Sequence, residues 1–222
     1  MNKNNKVMSD FLLMKIPIKE CKEPLVLLRN FSKDIIIDID TTTKKYEKLK
    51  KDECYVRETV AIMLSQAQSL LQEDYKLKVF DGFRSINTQK KIYKMVFKEL
   101  KEKNPKWSIK EIELETDKWV ANPKTIPPHT TGGAIDITMT KSDKELNMGS
   151  EKNSISKKSE TYLNKISDIE KKNRLILIKI MNKAGFTNYP GEWWHWSYGD
   201  RIWAHYNNKK YAIYGKIRYN KH

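Results

Sequence analysis

The residue that most constrains this chain is Asp136. It stands in the run Ala134–Met139, where Ile135, Ile137 and Met139 recur at every second position and Ala134, Asp136 and Thr138 fall between them. That period predicts a strand whose apolar face packs into a core and whose other face carries Asp136. A carboxylate in so apolar a segment is costly unless it is paired, so the fold has to bring partners to it. Two histidines offer themselves. His129, in Pro128-His129-Thr130-Thr131-Gly132-Gly133, precedes two glycines that permit a tight approach of the chain to the strand. His195, in Gly191-Glu192-Trp193-Trp194-His195-Trp196, has to come from a second segment. Two imidazoles and a carboxylate suffice for a catalytic zinc, which takes three protein ligands and leaves a fourth position open. Taken singly, each has a plainer reading: His129 capping a turn, Asp136 at a strand edge, His195 packed among tryptophans.

Residues around this set extend the reading. Glu192, just before His195, is placed to serve as a general base, or else is a turn carboxylate before an aromatic strand. Arg84, in Phe80-Asp81-Gly82-Phe83-Arg84-Ser85, offers a fixed cation for a developing oxyanion, or pairs with Asp81 at the surface. Asp81 in turn either holds Arg84 or meets a substrate ammonium. Trp193, Trp194 and Trp196 suit the wall of a metal pocket and the core better than a stacking platform, and Trp194 is the candidate for substrate contact. His205 and His222 receive no role.

Along the chain, residues 25–39 read as one or two strands. Val56, Val60, Met63, Leu64, Ala67, Leu70 and Leu71 fall on one face of a helix from Val56 to about Asp74. Leu77 to Asp81 alternates as a strand ending at Gly82, and a helix follows from Asn87 to Lys103, stopped at Asn104-Pro105. Ser108 and Glu111 form a capping-box pattern opening a third helix to about Val120. Pro123, Pro127 and Pro128 make 121–128 an irregular approach to His129. Residues 141–160 are polar and read as a mobile loop or insertion. A helix from Ile166 to Ala184 stops at Gly185, and short strands are expected around His195 and around 211–217. Helices and strands do not alternate regularly, so the expected class is α+β, a small antiparallel sheet with flanking helices. The 222 residues are read as one domain (1–222) with an N-terminal extension over about 1–24.

A formal charge of +15 invites a nucleic-acid reading. The excess is lysine scattered through polar stretches, no nucleic-acid motif accompanies it, and a solvated basic surface is the expectation. Cys21 and Cys54 are too few and too far apart for a zinc ribbon or a disulfide framework. No run reaches the length of a membrane span. The short apolar stretch Phe11-Leu12-Leu13-Met14 is too brief for a signal-peptide core, so a cytoplasmic location is expected.

These blocks together resemble the D-alanyl-D-alanine dipeptidases, the zinc dipeptidase family that includes the vancomycin-resistance enzymes. The likeness runs over roughly residues 54 to 217. Cys54-Tyr55-Val56-Arg57-Glu58 resembles the opening of the family's first long helix, and Asp81 to Arg84 its Asp-x-x-Arg segment. His129 to Asp136 is similar to its His-x-x-Gly-x-Ala-x-Asp motif, and Asn188 to Arg201 to its second metal motif. The resemblance implies one zinc per chain on His129, Asp136 and His195, with Glu192 as base and Arg84 at the transition state. It also implies the α+β fold shared with zinc D-Ala-D-Ala carboxypeptidases and the Hedgehog signalling domain. The chain departs from the family at Asp34-Ile35-Ile36-Ile37-Asp38-Ile39, which lacks an Arg-Tyr pair, and after Met148-Gly149, where Ser150-Glu151-Lys152-Asn153 replaces a Phe-Asp. Some relatives use that aspartate to hold the substrate's amino group.

The activity implied is hydrolysis of D-alanyl-D-alanine, a small D-amino-acid peptide, into two D-alanines. The alternatives are a D,D- or L,D-carboxypeptidase acting on peptidoglycan stem peptides and a noncatalytic zinc-stabilised binding module. Specific nucleic-acid binding is not expected.

Overall fold

The computed structural model describes residues 7–8, 10–154 and 156–218. In chain order the strands are β1 (Leu25–Leu27), β2 (Ile36–Ile37), β3 (Tyr55–Arg57), β4 (Tyr75–Asp81), β5 (Ala134–Lys141), β6 (Lys144–Glu145), β7 (Thr187–Asn188) and β8 (His195–Ser197). The helices are α1 (Asp10–Leu13), α2 (Thr41–Glu47), α3 (Glu58–Ser69), α4 (Ile86–Lys103), α5 (Ile109–Trp119), α6 (Asp168–Lys183) and α7 (Arg201–Tyr206). The class is α+β, as expected.

The main sheet runs β2-β4-β5-β8-β7, with β6 pairing β5. It is mixed rather than antiparallel throughout, because β2 joins β4 in parallel. β5 is its centre. Ile135, Ile137 and Met139 are completely buried in the core with Leu77, Val79, Leu64 and Leu177, so the apolar period fixes which face turns inward. The opposite face of β5 is buried as well, and it carries Asp136.

The helices follow their local signals. Ser108 and Glu111 form a complete capping box on α5, and Ser167 and Glu170 form another on α6. Val60, Ala61, Met63, Leu64 and Ala67 are the buried face of α3. That helix begins at Glu58 rather than Val56 and ends near Ser69 rather than Asp74. Tyr55-Val56-Arg57 is instead a strand paired with Leu25–Leu27, because Val56 sits one helical turn before Val60 and equally fits a strand. Arg57 secures the arrangement. Buried beneath Tyr214, it donates to Thr131 O at 2.8 Å and to Glu20 Oε2 at 3.1 Å, and also bonds the Glu23 carbonyl.

Three other expectations need correction. α2 was not anticipated, since three threonines make a poor helix signal; it forms because Asp40 caps it, accepting from Thr42 N at 2.8 Å. No strand forms over 211–217, where the chain makes only an isolated bridge from Ala212 to Ile18. Residues 141–160 are not a free loop. Buried Arg174 on α6 donates to Met148 O, Glu160 O and Lys158 O, each at 2.6 Å, and Trp193 Nε1 donates to Ser150 Oγ at 2.9 Å. Cys21 is exposed, Cys54 is buried, and both are free thiols. Among the described residues no helix is long and apolar enough to cross a membrane. His222 lies outside the described residues.

Candidate metal centre and active site

Sheet register builds the centre. Asp136 on β5 lies opposite His195 on β8, and on its other side opposite Asp81 on β4. The second pairing requires a bulge. Val79 pairs with Ile137, but Asp81 pairs with Asp136, so β4 spends two residues where β5 spends one. By simple alternation Asp81 would share the core face of Val79; the extra residue turns it onto the face of Asp136.

His129 arrives from the 3₁₀ turn Pro128–Thr131 that precedes β5. The approach is close: a Cβ on Gly133 would lie 2.3 Å from Tyr198 O, so only glycine lets this turn meet the chain after β8. The end of β4 grips His129 from two sides. Its Nδ1 is 2.8 Å from Gly82 O, and its carbonyl accepts from Arg84 N at 3.1 Å. A carbonyl only accepts, so Nδ1 carries the proton of that bond and Nε2 is the nitrogen turned toward Asp136.

His129 Nε2 lies 3.3 Å from Asp136 Oδ2, and His195 Nδ1 lies 2.9 Å from Asp136 Oδ1. The three side chains are buried, and each offers one donor atom within 4.8 Å of the others. The remaining nitrogen of His195 faces Ser197 Oγ at 3.4 Å. Two imidazole nitrogens and a carboxylate oxygen, each imidazole backed by a second polar partner, match the donor set of a catalytic zinc. Burial alone would raise the Asp136 pKa, but the two imidazoles outweigh it and hold the carboxyl well below its ordinary range. For His195, burial disfavours the cation and the Asp136 hydrogen bond more than restores it, so its pKa rises.

Glu192 lies in the turn before β8, with Oε2 3.9 Å from His195 Nδ1 and a third of its side chain open. Burial raises its pKa against the opposing pull of His195. Arg84 Nε is 3.4 Å from Asp81 Oδ2. Asp81, raised chiefly by burial and opposed by Arg84, accepts from Thr43 Oγ1 at 3.1 Å and from Gly82 N at 2.9 Å.

All seven residues singled out from sequence, His129, Asp136, His195, Glu192, Arg84, Asp81 and Trp194, line one cavity of about 350 Å³. Trp193 and Trp196 belong to the core instead. The cavity walls also include residues that sequence reasoning missed: Asp40 at the start of α2 and Thr43 within it, Met95 and Val96 on α4, Asp117 near the end of α5, and Asn153. None lies in a chemical motif, and only Asp40 carried a local signal, as a helix cap. Asp40, Asp81, Asp117, Asp136 and Glu192 outnumber Arg84 and Lys118 among its lining residues, so carboxylates predominate in the wall of a cavity within a basic protein.

The chain is similar to several known proteins. The chain is 29% identical to the D-alanyl-D-alanine dipeptidase of Synechocystis sp., over 92% of this chain and 93% of that one. It is 34% identical to the D-alanyl-D-alanine dipeptidase of Enterococcus faecalis over 40% of this chain and 44% of that one. A solved structure of VanYB in complex with D-alanine-D-alanine superposes with a TM-score of 0.46 and 16% identity, covering 72% of this chain and 81% of that one. The D-ala-D-ala dipeptidase family profile matches residues 30–214, and the chain belongs to that peptidase family.

Proposed function

We propose that this protein is a zinc-dependent dipeptidase that hydrolyses D-alanyl-D-alanine to two D-alanines. The observation that carries the reading is the convergence of His129, Asp136 and His195 in one cavity with Glu192 and Arg84, in a chain of this family. His129 through Nε2, His195 through Nδ1 and Asp136 through its carboxylate would hold the zinc. When bound, zinc supplies Lewis-acid polarisation of the scissile carbonyl and lowers the pKa of a water to about 7.

The chain's own residues do the rest. Glu192, made more basic by burial, accepts a proton from the attacking water and returns it to the leaving amine. Arg84 presents its guanidinium to the negative charge growing on the carbonyl oxygen. Asp81, engaged by Thr43, Gly82 and Arg84, holds Arg84 rather than meeting a substrate ammonium. Trp194 backs the cavity. Asp40 and Asp117, the wall carboxylates with no part in the chemistry, favour a substrate with a free ammonium group, which suits a dipeptide better than an amino-blocked stem peptide.

The test is a panel of free and amino-blocked D,D- and L,D-peptides incubated with zinc-loaded protein, with released amino acids quantified. Free D-Ala-D-Ala is expected to be cleaved fastest. Zinc-loaded protein that leaves it intact would sink the reading, and preferential cleavage of the blocked peptides would replace it with a carboxypeptidase.

A further inference from the structure

We infer that α2 is an active-site brace and that Thr43 is a positioning residue for Arg84; the inference rests on the peptidase reading above. α2 touches both ends of the segment Asp81–Ser85. At one end the buried Thr43 hydroxyl donates to Asp81 Oδ2 at 3.1 Å. At the other, buried Glu47 accepts from Ser85 N at 2.7 Å through Oε1. Thr43 and Glu47 lie four residues apart, which places them on one face of the helix.

The segment between these two holds is the one that matters chemically. It carries Arg84, and its Gly82 carbonyl and Arg84 amide bond His129. Asp81 Oδ2 accepts from the Thr43 hydroxyl and forms an ion pair with Arg84 Nε at 3.4 Å. Arg84 Nε is buried and makes no hydrogen bond among the described residues, so its polar contact there is the ion pair with Asp81. The Asp81 carboxylate therefore sets where the guanidinium points, and Thr43 sets where that carboxylate points. With the Thr43 donor on Oδ2, the carboxylate is held where its charge faces the Arg84 guanidinium. Loss of that donor leaves Gly82 N on Oδ1 as the remaining hydrogen bond to the carboxyl, and χ2 is a broad and soft torsion.

The experiment compares Thr43→Val, which keeps shape but removes the donor, with Thr43→Ser, which keeps it, each in wild-type and Arg84→Ala backgrounds. Thr43→Val should lower kcat about 5- to 10-fold with KM within about twofold, the size of one lost hydrogen bond. Thr43→Ser should restore kcat. In the Arg84→Ala background Thr43→Val should change nothing further, since the two act on one group. A second readout does not depend on turnover: the Arg84 Nε–H resonance, assigned by its loss in Arg84→Ala, should shift or broaden in Thr43→Val and persist in Thr43→Ser. An unmoved resonance in Thr43→Val, or an equal loss of kcat with and without Arg84, would overturn the inference. Wild-type protein inactive on every D-dipeptide would defeat the functional reading instead, and the resonance would still decide the role of Thr43.

Discussion

The Nδ1 of His129 donates to the carbonyl of Gly82 across 2.8 Å, and this one bond decides which nitrogen of the imidazole faces Asp136. It joins a histidine of the candidate metal centre to the residue that follows β4, so the geometry of the centre depends on how closely that strand approaches the turn at 128–131. Gly82 is also packed closely against β3 and the residue before it. A Cβ there would lie 2.6 Å from Cys54 Sγ and 3.1 Å from Tyr55 O.

Gly82→Ala should therefore displace the Gly82 carbonyl and weaken zinc binding by about 10- to 100-fold, the range seen when such an outer partner is lost. Chelator competition measures it. Adding Cys54→Ala, which removes the nearest obstructing atom, should recover most of the affinity. A Gly82→Ala variant with unchanged zinc affinity would show that the bond does not matter.

Glu192→Gln keeps the shape and removes the proton acceptor. It should retain stoichiometric zinc while kcat falls at least about 100-fold. Because burial raises the Glu192 pKa, the acid limb of kcat/KM in the wild type should lie above about 4.3, the value of an ordinary glutamate. A variant that stays active assigns proton transfer elsewhere.

The zinc-free protein should respond to pH on both sides. The Asp136 pKa is depressed, so its contribution to stability is present above about 3.9 and is lost as pH falls through the folded value. The His195 pKa is raised, so its contribution is full below about 6.5 and is lost as pH rises through the folded value. Zinc needs unprotonated imidazoles. The rise in Tm on adding zinc should thus grow from pH 6 to pH 8, and thermal scans with and without metal check it. A zinc-induced shift independent of pH would count against His195 as a ligand.

Arg174→Met should destabilise the fold by at least about 3 kcal/mol in urea titrations, because it strands the carbonyls of Met148, Lys158 and Glu160. Arg174→Lys should recover little, since an ammonium lacks the planar fork that reaches all three. Either variant should also raise KM, because Asn153, on the loop that Arg174 pins, lines the cavity.

Much of the site was legible in the sequence because its signals are local. Alternation in Ala134–Met139 assigned Asp136 to the face opposite the core, two glycines follow His129 before the strand, and Glu192 lies three residues before His195. Ser108 with Glu111, and Gly185 after α6, marked helix ends by side-chain chemistry within a few residues. These properties depend on neighbours along the chain, so one sequence suffices to read them. The distant relationships were decided by packing. Val56 fits a helix or a strand until β1 is there to pair with it. Asp81 points at the core or at Asp136 depending on one bulged residue in β4. α2 has weak propensity and persists because Asp40 caps it and Thr43 and Glu47 find partners on the segment after β4. Each of these depends on a hydrogen-bonding group that is remote in sequence, so only the tertiary structure could choose among the conformations the local sequence allows.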